Sequence, residues 1–154
     1  MQPTINNQEA LQQGLNWLKA EHKEIIRLSV RTLGLSNIEY YRTMTSEQRR
    51  VIATNNLDGM ISRLEGISIN TGLMKASFVA LLRQGASLQV MLVGVDELMK
   101  VITNRADSGL AKQPIIQEAL LQKASYYINL VKATMASAMI EYEAGRTMVL
   151  KPMR

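Results

Sequence analysis

Apolar residues recur along this chain at steps of three and four, a spacing that fits helices and little else. Leu11, Leu15, Leu18, His22, Ile25 and Ser29 fall on one face of a helix. The pattern predicts a helix over 8–32, with Asn7 as its cap, Glu9 in its first turn and Gly34 as its stop. Strict alternation of β-branched and polar residues, the mark of a half-buried strand, is absent. Ser36 with Glu39 reads as a capping box for a short helix holding Ile38, Tyr40 and Tyr41, and Thr45 with Gln48 repeats the pattern. The helix after it carries Val51, Ile52, Leu57, Met60, Ile61 and Leu64, with Gly59 as a weak point inside it and Gly66 as its end.

A loop is expected over 67–72. Thr71 is then placed to cap a helix holding Leu73, Met74, Phe78, Leu81, Leu82, Leu88, Met91 and Leu92. Gly85 and Gly94 mark a kink or a close helix approach. The apolar pattern resumes at Val95, Leu98, Met99 and Ile102, before a polar connection over 104–113. Pro114 suits the first turn of a last helix running to 144, with Gly145 as its stop. The expected fold is all-α: a single-domain bundle of four to six helices over 1–145, then a basic C-terminal tail over 146–154, extended or mobile. Leu81 and Leu120 are expected in the core.

Composition supports this reading. With 47% hydrophobic residues the chain can build a core, and with 1 Phe against 10 Met that core is made of Leu, Ile, Met and Ala. The most apolar stretch, 76–95, is broken by Arg83, Gln84 and Gln89, so it reads as a core helix and no membrane is expected as a partner. The opening MQPTINNQEALQQ lacks the charged start and apolar run of a signal peptide. With no cysteine, disulfide and thiolate chemistry are excluded, and a cytoplasmic location is expected.

Little catalytic chemistry is on offer. One histidine and no cysteine leave no zinc-ligand spacing, and no glycine-rich phosphate loop occurs. His22 lies within the apolar face of its helix and reads as a core or inter-helix histidine with a satisfied hydrogen bond; a catalytic or pH-sensing role is the alternative. Asp96 with Glu97, and Glu141 with Glu143, point apart on a helix. No enzymatic activity, metal or cofactor is expected.

Charge is the best functional clue. The formal net charge is +5, which favours a polyanionic partner or an acidic protein surface. Lys19, Lys23, Arg27 and Arg31 stand at strict four-residue spacing, a cationic ridge with no acid on it to relieve it. Repulsion along the ridge costs the helix about 1 kcal/mol. Arg49 and Arg50, with Arg42 upstream, form a second cluster, and Arg146, Lys151 and Arg154 a third. Trp17 lies beyond the ridge and off the core stripe. It either packs on another helix of the chain or marks a stacking surface or a subunit interface. Ala133, Ala136, Ser137 and Ala138 let a helix approach closely, from within the chain or from a second copy.

The expected function is a non-enzymatic nucleic-acid-binding accessory subunit that contacts phosphate backbone through basic helix faces. In size, charge and helix content the chain resembles, in type, the small helical subunit of CRISPR effector complexes. There, copies stack along a ribonucleoprotein and hold nucleic-acid backbone. The resemblance rests on no residue motif and implies no site residue. The alternative is a structural or adaptor bundle that self-assembles or docks on a protein.

Overall fold

Seven helices and no strand make up the described residues of the computed structural model, which are 5–150, with side chains as far as 146. The helices are α1 Asn7–Ala20, α2 His22–Gly34, α3 Glu39–Arg42, α4 Ser46–Leu64, α5 Thr71–Arg83, α6 Leu88–Gly109 and α7 Pro114–Leu150. The all-α class is as the spacing predicts. The count exceeds four to six because two expected continuous helices are interrupted.

The first interruption is Glu21, at φ −88° and ψ 0°. Its carboxylate leaves the helix surface to accept from Arg105 of α6, at 3.1 Å from Nε and 2.6 Å from Nη2. With that break α1 packs on α7, while α2 lies between α4 and α6. The second is Gly85, at φ +100°, a conformation in which a side chain would be strained. Gly85 N–H donates to Leu82 O and Ala86 N–H to Leu81 O, each at 3.1 Å, so the last carbonyls of α5 are satisfied. The most apolar stretch is thereby split between two helices. No helix among the described residues is long and apolar enough to cross a membrane.

Capping follows the sequence at one site and shifts by a residue at two others. The Thr45–Gln48 box closes in both directions, at 2.9 and 3.1 Å. Asn6 caps α1 in place of Asn7, and Asn70 caps α5 in place of Thr71. Ser36 caps nothing and accepts from Ile38 N–H in a tight turn. Two expected endings fail. The polar 104–109 stretch stays helical within α6, and α7 passes through Gly145, which does not take a positive φ. A glycine without that turn costs a helix only about 1 kcal/mol and does not end it.

The 37 residues of α7 form a spine about 55 Å long. Its first half carries α1, its second half α5, and α4 and α6 pack along it. Gln117 reaches Asp107 and Lys132 pairs with Asp96, so α6 runs antiparallel to it, while Lys75 ties α5 to Glu141. Leu18, Ile25, Leu57, Met60, Leu98, Ile102 and Leu120 are fully buried. Leu120 meets expectation. Leu81 does not: it packs half-buried at the margin, and Leu82 takes the core position.

Glycines admit the large rings. A Cβ on Gly59 would strike the Tyr127 hydroxyl, and one on Gly109 would lie 2.8 Å from Trp17 Nε1. Gly59 is therefore a packing notch in an unbroken α4.

Candidate functional site

The cationic ridge is reshaped by the fold. The break at Glu21 leaves Lys19 on α1 and the other three cations on α2. Lys19 pairs with Glu65 beyond the end of α4, at 3.2 Å. Arg27 is held by Glu24, one turn earlier, through Nε at 2.9 Å and Nη2 at 2.5 Å. The hydrogen bond from Arg27 lowers the Glu24 pKa, and the carboxylate raises that of Arg27. The expectation of a ridge without acids is thus corrected: it overlooked i, i+3 pairing and the approach of α4. Among the described residues Lys23 and Arg31 remain exposed without an acidic partner.

The second cluster divides as well. Arg49 Nη1 donates to Tyr41 O at 3.2 Å and Met44 O at 2.8 Å, and its guanidinium lies under Gly34. It holds the α2–α3–α4 connection together. Arg50 is exposed and loosely paired with Glu47 at 3.7 Å. Arg42 is exposed and unpaired. Of the third cluster, Arg146 pairs with Glu143 and lies over the Tyr142 ring, while Lys151 and Arg154 lie outside the described residues.

Trp17 is partly buried and packs against the core and the Gly109 backbone, on another helix of the same chain. His22 Nε2 meets Asp58 Oδ1 of α4 at 2.7 Å, an inter-helix pair at the edge of the apolar face. Among the described residues no group of three or more His, Asp and Glu side chains is placed to hold a metal ion. Of the small-residue run, only Ala138 is buried; Ala133, Ala136 and Ser137 face outward.

A groove of about 920 Å³ lies where α1, the end of α4 and the middle of α7 meet. Leu11, Leu64 and Leu130 are apolar residues of its lining, and Arg63, Lys123, Tyr126 and Asn129 are polar ones. No acid lines it. Arg63 and Lys123 are exposed and lack acidic partners, and the Tyr126 ring is 75% exposed, whereas Tyr127 beside it is 6% exposed. The spacing of Lys123, Tyr126 and Asn129 on one side of a helix is visible in the sequence. Arg63 joins them only through the packing of α4 on α7.

Comparison with family models, with curated proteins and with solved structures returns no match.

Proposed function

We infer that the protein is a non-enzymatic accessory subunit that binds nucleic-acid backbone through exposed cations, within a reducing cytoplasm. One observation supports this above others. Among the described residues Lys23, Arg31, Arg42, Arg63, Arg83, Lys112 and Lys123 are all exposed and have no acidic partner. Most carboxylates, by contrast, are spent in ion pairs. The positive surplus is therefore available at the surface, where counterion release rewards phosphate contact.

Binding of labelled single- and double-stranded DNA and RNA, measured at two salt concentrations, tests this reading. Affinity is expected to fall steeply with salt and to vary little with sequence. Lys23→Gln with Arg31→Gln is expected to make the duplex salt slope shallower by about 0.9 per lost contact. A wild-type protein that binds none of the four, at low salt, removes the reading. The alternative, a self-assembling or docking bundle, is favoured by the outward face of α7, where Tyr126, Ala133, Ala136 and Ile140 are exposed and uncharged. Light scattering on the same samples reads it as a mass above that of one chain.

A further inference from the structure

We propose that the groove between α1, α4 and α7 is a single-stranded nucleic-acid subsite, in which a base stacks on Tyr126 and Arg63 and Lys123 hold the phosphates on either side. The proposal rests on the nucleic-acid reading above and assigns it a place and a strandedness.

The ring is the first reason. Tyr126 is 75% exposed on a helix whose neighbouring tyrosine is buried. An exposed aromatic face in a groove also lined by Leu11, Leu64 and Leu130 is a stacking platform for a base of any kind. Charge is the second. Arg63 and Lys123 come from different helices, and neither has an acidic partner. The nearest acid in the chain to Arg63, Glu65, is engaged by Lys19 at 3.2 Å. The end of α4 does not offset these cations with open carbonyls, because Gly66 N–H donates to Arg63 O and Ile67 N–H to Ser62 O, each at 3.0 Å.

The same features select the occupant. A duplex stacks its interior base faces on one another, so along its length it has none to offer Tyr126. A second copy of this chain would bring its own net charge of +5 to a cationic groove. A nucleoside monophosphate has one phosphate for two cations, whereas a strand supplies one to each, to Arg63 from α4 and to Lys123 from α7. Asn129, which also lines the groove, adds an amide that both donates and accepts.

The test uses the full chain with fluorescein-labelled oligothymidylate and a duplex closed by a loop at each end, followed by anisotropy at two salt concentrations. Tyr126→Ala is expected to weaken single-strand binding roughly tenfold with the salt slope unchanged, to leave duplex binding as it was, and to be rescued by Tyr126→Phe. Arg63→Gln with Lys123→Gln is expected to reduce the single-strand salt slope by about 0.7 per lost contact. Single-strand binding by Tyr126→Ala equal to wild type overturns the subsite; if that protein still binds with the Lys23 and Arg31 dependence given above, backbone binding survives and the groove does not. A loss of mass in light scattering with binding unchanged makes Tyr126 a contact between copies and overturns the subsite too. Wild-type protein that binds neither oligonucleotide ends both readings.

Discussion

Adjacent arginines on α4 have unlike tasks. The Arg49 side chain is half-buried and its Nη1 serves two backbone carbonyls at 3.2 and 2.8 Å, while Arg50 sits in solvent at 3.7 Å from Glu47. Hydrogen bonds from a charged donor contribute about 1.5–3 kcal/mol each, and exposed pairs close to nothing. The buried Arg49 Nε has no hydrogen-bond partner and offsets part of what the two bonds contribute, so urea denaturation of Arg49→Gln is expected to show a net loss of about 1.5–3 kcal/mol, and Arg50→Gln a change within about 0.5 kcal/mol. Equal effects would mean that Arg49 holds nothing. Ser29 carries a different kind of strain. Its hydroxyl is buried and has no hydrogen-bond partner. Ser29→Ala is expected to raise stability by about 1 kcal/mol, since an unpaired buried hydroxyl costs about 1–3 kcal/mol; a loss by the same assay would count against an idle hydroxyl.

Between elements, ring-in-notch contacts set how closely helices approach. The Tyr127 hydroxyl of α7 occupies the space a Cβ on Gly59 of α4 would take. Gly59→Ala adds helix propensity worth about 1 kcal/mol, yet overpacking costs about 1–3 kcal/mol. The expected result is net destabilisation, with a Gly59→Ala, Tyr127→Phe double variant recovering most of it. Strict additivity in that double-mutant cycle would show that the two residues do not meet. The same logic explains why Gly59 misleads a propensity argument: the cost it imposes on α4 is offset by a ring from a helix about seventy residues away in sequence, which local spacing does not register.

At the scale of the molecule, burial of two tyrosines ties stability to alkaline pH. Burial is the main cause that raises the Tyr41 pKa above its ordinary 10.0, and Tyr127 is raised by burial alone. The native state therefore keeps phenolic protons that the unfolded chain releases near pH 10. Their contribution is complete below that pH and is lost as pH rises through the folded values. Tm is expected to decline above about pH 10, and less steeply in Tyr127→Phe than in wild type. Superimposable alkaline curves for the two proteins would show that Tyr127 is not part of the linkage. Ion pairs do not substitute for the core here. Most are surface pairs, each worth about 0–1 kcal/mol, and their main consequence is to occupy the acids and leave a cationic surplus.

The helical class, the Thr45–Gln48 cap, the Gly66 stop and the burial of Leu120 follow from local rules, because propensity, capping and face periodicity act within a few residues. Those rules misplaced what depends on a distant partner. Glu21, at the break between α1 and α2, pairs with Arg105, Lys19 loses its free charge to Glu65, and Arg49 turns from a surface cation into a clasp on backbone carbonyls. The candidate groove divides along the same line. Lys123, Tyr126 and Asn129 share one side of α7 by spacing alone, and Arg63 and Leu11 come to them only when α4 and α1 pack against that helix. Sequence spacing settled which residues face together along one helix; tertiary packing decided which faces meet, and so which charges stay free to bind.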